Sequence, residues 1–173
     1  MEDIKSRILR FLVKTGGYAA AGRERPEVVM ARLRFDVQGP EVYRTNLQVR
    51  VNDINYGGHL GNDSVLTLCH EARIRFFTEI GHSEMDLFGM GIIMTDAMIV
   101  YRAEAGLGDE LEVSLYLDEI GKRAFDLYYL LERAGQEIAR VKTGIAFFDY
   151  PQGKIAACPQ GFKERFGIPQ KDV

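Results

Sequence analysis

The residues best suited to chemistry lie in one polar tract, VRVNDINYGGHLGND, which spans residues 49–63. Three of its side chains, Asn55, His59 and Asn62, can form hydrogen bonds around a glycine-rich turn. Glycines such as Gly58 let the backbone adopt positive φ and approach a ligand closely. Hydrogen-bond donors around a carbonyl oxygen, beside a histidine that transfers protons, suit acyl-transfer chemistry.

The same tract also has a purely structural interpretation. Glycine turns often precede helices, an asparagine often caps the helix that follows, and a nearby histidine can be incidental. Both interpretations stay open at this point, so the elements that position the tract matter.

A long helical pattern begins directly after the turn. Apolar residues recur on one face of it, at Val65, Cys69, Ala72, Phe76 and Ile80. This stripe predicts an α-helix over residues 63–79, capped by Asn62 or Asp63. The first N–H groups of a helix lack partners and carry partial positive charge. We therefore expect Gly58, Asn62 and Asp63 to bind the substrate.

Strand patterns surround this helix. Two strands are predicted before it, over residues 28–37 and 41–53, and four after it, over residues 92–104, 110–120, 123–133 and 137–150. The tail CPQGFKERFG predicts one further short helix. One long helix beside a large antiparallel sheet is an α+β layout. Several strands are apolar on both faces, which predicts a homodimer or homotetramer.

Length and composition set the domain organisation. A chain of 173 residues fits one domain, predicted over residues 27–173. Residues 1–26 are predicted to form an amphipathic helix and a linker ahead of it. The net charge of −3 argues against a nucleic-acid binder, which would carry a basic surface.

The two cysteines, Cys69 and Cys158, form neither a disulfide framework nor a zinc-binding spacing. No metal site is therefore expected, and a reducing compartment fits best. No apolar run reaches the ~20 residues that a membrane-spanning helix needs. We expect a cytoplasmic protein.

The tract resembles the signature of hot-dog-fold thioesterases, the 4-hydroxybenzoyl-CoA thioesterase-like superfamily. Those proteins combine an Asp-x-Asp strand end, a Gly-His-x-Asn-Asn turn and a helix with Glu-Ala-Arg. The matching residues here are Asp53, Asn55, Gly58, His59, Asn62 and the triplet Glu71, Ala72 and Arg73. The resemblance covers roughly residues 41–150. It implies an antiparallel sheet wrapped around one long helix, and hydrolysis of an acyl-CoA or acyl-carrier-protein thioester without a cofactor.

The sequence departs from this signature at one position. Many members of the superfamily use the second acid of Asp-x-Asp as nucleophile or base, and the matching residue here is Asn55. An amide can orient water or a carbonyl group, but it does not accept a proton at neutral pH. Either another carboxylate activates water, or the protein is a non-catalytic acyl-thioester binding protein.

Asp96 is the first candidate for the missing acid. Strand alternation in IIMTDAMIV places it on one face with Met94 and Met98. Apolar surroundings would raise the pKa of this carboxyl toward that of a general base. The alternative is an aspartate that is bonded to backbone or faces a subunit interface.

Asp53 is the second candidate, because a strand would place its side chain on the same face as that of Asn55, ~6.6 Å away. Its simpler role is to brace the glycine turn. Glu71 falls on the solvated face of the helix beside Arg75. Glu104 is a reserve candidate, because its segment resembles that of plant acyl-carrier-protein thioesterases that carry a catalytic acid.

The catalytic residues are therefore sought among Asn55, His59, Asp96 and Asp53. His59 could polarise the thioester carbonyl, hold the attacking water or protonate the leaving thiolate. His70 and His82 are expected to be surface or packing residues.

Overall fold

The computed structural model describes residues 33–167 of the chain. The strands are β1 (Glu41–Gln48), β2 (Gly91–Tyr101), β3 (Glu110–Asp118), β4 (Ala124–Arg133), β5 (Gln136–Asp149) and β6 (Lys154–Ile155). The helices are α1 (Asn62–Glu79) and α2 (Gln160–Phe166), and a 3-10 turn covers Val51–Asp53. The predicted N-terminal helix and linker lie outside the described residues.

Within residues 33–167 the six strands form one antiparallel sheet in the order β1-β3-β4-β5-β2, with β6 beside β5. The apolar stripe of α1 packs onto one face of this sheet. Val65, Cys69, Ala72 and Phe76 are each at most 2% exposed. Burial raises the pKa of the Cys69 thiol, so this cysteine is a core residue. The predicted α+β hot-dog fold is confirmed.

The chain before α1 differs from the prediction. Strand β1 ends at Gln48, and the backbone N–H and C=O of Val49 then bond to the loop before β3. The carboxylate of Asp53 accepts the N–H of Arg50 at 2.8 Å and closes a 3-10 turn. The predicted strand over residues 41–53 is therefore too long, and Val51 is 72% exposed.

Of the other predicted strands, those after α1 in the sequence are confirmed, whereas the one before β1 is not. Residues 33–37 form no strand, and the rest of the strand predicted over residues 28–37 lies outside the described residues. The four later strands and the C-terminal helix are confirmed, with small shifts at their ends.

A β-bulge in β2 decides which of its side chains face α1. Met94 pairs with Ile145, but Asp96 pairs with Gly144, so one extra residue is inserted between them. Residues directly opposite in antiparallel strands share a face. Met94 is thus on the α1 side with buried Ile145, whereas Asp96 and Met98 are on the outer face. The expectation that Met94 and Asp96 share a face is wrong, because the bulge reverses the alternation.

Helix α2 covers one end of the core through Phe162. This side chain is fully buried, with ring centroids 4.7 Å from Phe125 and 5.2 Å from Phe147. Aromatic packing of this kind adds to the free energy gained by burying the ring.

Phe162→Ala should lower the free energy of unfolding by about 3 to 5 kcal/mol, because it leaves a cavity among aromatic rings. Urea denaturation followed by circular dichroism measures this change. The control Ile155→Ala, at a site 39% exposed, should change it by less than about 0.5 kcal/mol. Equal effects of the two substitutions would show that α2 does not close the core.

Candidate active site

The glycine turn folds as a narrow loop between Ile54 and Leu60, which pair as an isolated bridge. The N–H of Asn55 donates to the carbonyl of His59 at 2.8 Å, and Gly58 adopts a φ of 82°. The N–H of Leu60 donates to the carbonyl of Ala105 at 2.8 Å. This bond docks the turn against the segment that follows β2.

Asn55 holds the loop through its side-chain oxygen. Oδ1 accepts the N–H of Gly57 at 2.8 Å and that of His59 at 3.4 Å, which is an Asx-type turn. Because both neighbours are donors, the oxygen must face them, and the NH₂ group is left to point elsewhere. Asn55 therefore braces the turn and also lines the adjoining cavity.

His59 faces a carboxylate from the segment after β2. Its Nδ1 lies 3.5 Å from Oε2 of Glu104. The side chains are 49% and 76% exposed, so water screens the pair and its contribution to stability is small. What the contact supplies is a negative charge beside the imidazole ring.

The start of α1 lies beside this pair. Gly61 is the N-cap, and among residues 33–167 no side-chain hydrogen bond caps the helix. The predicted capping by Asn62 or Asp63 is therefore wrong. Instead, the hydroxyl of Tyr101 donates to the carbonyl of Asn62 at 2.8 Å and ties the helix to β2.

One cavity of about 270 Å³ joins these groups. Its polar lining consists of Asn55, His59, Asn62, Tyr101 and Glu104, and its apolar lining of Leu60, Val65, Ala103, Ala105 and Ile138. A larger cavity of about 510 Å³ at the β3–β4 turn contains acids and lysines but no histidine. The smaller cavity is the better candidate because it combines a proton-transfer group with free donors.

Asp53 is beneath the turn rather than in the cavity. It is 8% exposed, its carboxylate accepts the N–H of Arg50, and its carbonyl accepts the N–H of Gly61 at 2.7 Å. These bonds fix the chain reversal ahead of α1. The structure therefore gives Asp53 the bracing role and does not bring its carboxylate to His59.

Asp96 is on the opposite side of the sheet from the turn. Its Oδ1 accepts a hydrogen bond from Nζ of Lys142 at 3.0 Å, and its side chain is 57% exposed. The Lys142 ammonium holds the pKa of this carboxyl below its usual range. The expected raised pKa is wrong, because the bulge turns Asp96 away from the apolar side.

The remaining candidate residues lie at separate places in the structure. Asp63 lines an adjoining cavity with His70. Glu71 forms ion pairs with Arg50 and Arg75 on the other flank of α1. His82 stacks on Phe88, with ring centroids 4.0 Å apart, which is a packing role.

Tyr101 is the site residue that the sequence did not reveal. It ends β2, where a strand pattern gives no sign of a bond to a distant helix. The available signal was the tract YRAEAG, in which an exposed aromatic residue stands three positions before Glu104.

Asp96→Asn should leave kcat/KM for thioester hydrolysis within about twofold, because the ionised, lysine-paired carboxylate is a poor proton acceptor. A lowered pKa stabilises the fold above the unfolded value of roughly 3.9 and ceases to do so as pH falls through the folded value. The parent should therefore unfold at a slightly higher temperature than the variant at pH 7 but not in strong acid. A tenfold loss of kcat/KM in Asp96→Asn would show that Asp96 takes part in the reaction.

Within residues 33–167 no group of three metal-ligating side chains is placed to hold an ion. Neither of the two helices in this part of the chain has the length and apolar character that a bilayer crossing requires.

Known proteins are similar to this chain in sequence pattern and in fold. A profile of the thioesterase-like superfamily matches residues 49–166. The fold is similar to that of a 1,4-dihydroxy-2-naphthoyl-CoA thioesterase from Synechocystis (24% identity, TM-score 0.65, 72% of this chain and 94% of that chain). It is also similar to a gentisyl-coenzyme A thioesterase (17%, 0.65, 72% and 99%) and to a hypothetical protein from Aquifex aeolicus (20%, 0.66, 72% and 98%).

At these identities the structural likeness shows the fold, and no curated protein matches the sequence. The superfamily profile, by contrast, covers more than half of the chain, including the glycine turn, α1 and the segment that carries Glu104. The chain therefore belongs to the thioesterase-like superfamily.

Proposed function

We propose that the protein hydrolyses an acyl thioester of coenzyme A or acyl-carrier protein to the free acid and the thiol. The observation that carries this proposal is the contact between His59 and Glu104 in a cavity that also contains the start of α1. A proton acceptor and hydrogen-bond donors thereby face one space, as thioester hydrolysis requires.

In this mechanism Glu104 acts through His59. The Glu104 carboxylate, 3.5 Å from Nδ1, would favour the tautomer that carries its proton on Nδ1, so that Nε2 keeps its lone pair. Nε2 takes a proton from a water molecule whose oxygen attacks the thioester carbonyl carbon. The C–S bond then breaks, and His59 returns the proton to the departing thiolate.

The start of α1 would stabilise the charge that develops on the carbonyl oxygen. The uncapped N–H groups of its first turn carry partial positive charge, which favours an anion. The NH₂ group of Asn55 would add a donor from the turn. Asn55 thus serves as a positioning and polarising group rather than as a base.

Two observations support the substrate class and the location. The similar structures named above include two coenzyme A thioesterases, which favours a coenzyme A thioester. Both cysteines are free and buried, which fits a reducing compartment and a cytoplasmic location. The proposed reaction uses water and requires no cofactor.

A second function is supported by one observation, the amide at position 55. If the remaining groups do not activate water, the same cavity would bind an acyl thioester without cleaving it. Hydrolysis is favoured because His59 and Glu104 face each other, whereas simple binding requires no such pair.

His59→Ala should lower kcat by ~10²-fold or more, because it removes the proton acceptor. Glu104→Gln should lower kcat by ~10-fold, since it keeps the shape and removes the charge. The double variant should be little worse than His59→Ala alone, because the two residues act as a unit. Thiol release from a panel of short, long and aromatic acyl-CoAs measures each effect.

The matched control is His82→Ala, which should keep kcat within about twofold because this ring packs against Phe88, accepts the N–H of Phe88, and does not line the cavity. Equal losses of kcat in all variants would show that the glycine turn does not carry out the reaction. A parent protein that binds acyl-CoA tightly but releases no thiol would establish the binding function instead.

We also propose a homo-oligomer, at least a dimer, joined through β2. Within the described chain β2 pairs only with β5, so its other edge is unpaired. Met94 and Tyr101 are 46% and 50% exposed on this strand. An unpaired edge with exposed apolar residues favours association with another strand.

Light scattering at micromolar concentration should therefore give the mass of a dimer or tetramer. Ala97→Lys should shift the mass toward the monomer, because a charge on the edge strand opposes pairing. Leu107→Lys, in an exposed loop position, should not change the mass. A monodisperse monomer of the parent protein would contradict this proposal.

A further inference from the structure

The segment that carries Glu104 reaches the candidate active site as the start of a tight turn. Ala105 is 2% exposed, and its carbonyl accepts the N–H of Leu60 from the glycine turn. The next residue, Gly106, pairs with His59 as an isolated bridge. Two consecutive residues after Glu104 thus contact the glycine turn, so the backbone of this segment sets the region that the Glu104 carboxylate can reach.

Asp109 closes this turn from its other end. Its N–H donates to the carbonyl of Gly106 at 3.1 Å, and its Oδ2 accepts the N–H of Gly106 at 2.7 Å. The carbonyl of Asp109 accepts the N–H of Val49 at 2.9 Å. One residue therefore bonds both main-chain groups of Gly106 and ties the turn to the chain just after β1.

Arg133, the last residue of β4, holds the carboxylate of Asp109. Its Nη1 donates to the same Oδ2 that accepts the N–H of Gly106. The bond from Gly106 and the guanidinium together lower the pKa of the Asp109 carboxyl, so this acceptor stays charged in weak acid. Both donors are directional, which gives the carboxylate a defined orientation.

These bonds supply position more than stability. The side chains of Arg133 and Asp109 are 36% and 28% exposed, and an ion pair that water reaches adds little to the stability of a fold. The bonds do fix the turn relative to two strands that are distant in sequence, β1 and β4. The residues that follow Glu104 are fixed with the turn.

We propose that Asp109, held by Arg133, is a positioning residue that keeps the Glu104 carboxylate beside Nδ1 of His59. This inference rests on the proposed reaction at the glycine turn. Asp109 does not line the cavity, so it acts through Glu104 and not on the substrate. Without its carboxylate the N–H of Gly106 loses a partner, and the turn can relax away from His59.

The contact between His59 and Glu104 is sensitive to such a movement. Nδ1 and Oε2 are already 3.5 Å apart, at the outer limit of a hydrogen bond. Misplacement of a reacting group by about 1 Å can lower a rate by about 10²-fold. Because Asp109 acts only through Glu104, its removal should cost no more than the ~10-fold loss expected for Glu104→Gln.

The first test measures kcat for the acyl-CoA of the panel that the parent hydrolyses fastest. Asp109→Ala should lower kcat by about five- to tenfold, because the turn loses the bond that fixes it, and should change KM by less than about twofold. In the Glu104→Gln background the same substitution should lower kcat by less than about twofold, because no charge remains to be positioned. A loss of equal size in both backgrounds would overturn the positioning role and leave the proposed hydrolase intact.

A conservative variant tests which bond of Asp109 matters. Asp109→Asn together with Arg133→Gln removes both charges, and it keeps a side-chain oxygen that can accept the N–H of Gly106. This double variant should keep kcat within about twofold of the parent. A kcat as low as that of Asp109→Ala would show that the bond to Gly106 does not position Glu104.

The matched control is Asp149→Ala. Asp149 also accepts a main-chain N–H three residues away, from Gln152 at 3.0 Å, but it lies at the end of β5 and does not line the cavity. The control should keep kcat within about twofold in both backgrounds. Circular dichroism checks that each variant is folded at the assay temperature. Should Asp109→Ala not fold, Arg133→Gln takes its place, and its loss of kcat should likewise be absent in the Glu104→Gln background.

The second test locates the Glu104 charge without hydrolysis. The nuclear magnetic resonance signal of the His59 ring, identified by its loss in His59→Ala, senses the neighbouring carboxylate. At neutral pH its chemical shift in Asp109→Ala should match that in Glu104→Gln, and a shift that stays at the parent value would overturn the positioning role. If the parent hydrolyses no thioester, the proposed reaction fails, and this measurement still decides whether Asp109 positions Glu104.

Discussion

The reversal of the chain between β1 and α1 is the constraint on which the site depends. Within residues 50–60 Asp53 is the one buried residue, so its surroundings above all need hydrogen-bond partners inside the protein. Asp53 supplies two such partners and Asn55 supplies an acceptor for two N–H groups. A carboxylate at position 55 could accept the same bonds, so the amide leaves the turn intact and removes only a negative charge beside His59.

The site is therefore assembled from two segments with different tasks. The turn before α1 contributes donors and an imidazole, whereas the segment after β2 contributes the carboxylate of Glu104 and the hydroxyl of Tyr101. The main-chain bond between Leu60 and Ala105 sets the distance between the two segments. In the proposed mechanism, the negative charge that the superfamily signature places on the turn comes instead from the segment after β2, where it faces the histidine.

Periodic patterns in the sequence predicted the fold well. A regular helix or strand buries one face, so its apolar residues recur with the period of that element. The stripe of α1 and the four later strands follow this rule. Asn55, His59 and Asn62 could be grouped because they are close in sequence. The contact between His59 and Glu104 depends on how distant segments dock, and Asp96 was misplaced because one inserted residue reverses all later faces of a strand.

The inserted residue of the β2 bulge also links the packing on the two faces of the sheet. A Cβ at position 144 would collide with the carboxylate of Asp96 and lie 2.9 Å from Oγ1 of Thr95, so a larger residue opposite the bulge would have to displace these two side chains. The bulge in turn places Met94 on the α1 side of the sheet, where it is 46% exposed. A substitution at position 144 of β5 would therefore be felt on the opposite face of the sheet, through the neighbouring strand that contains the bulge.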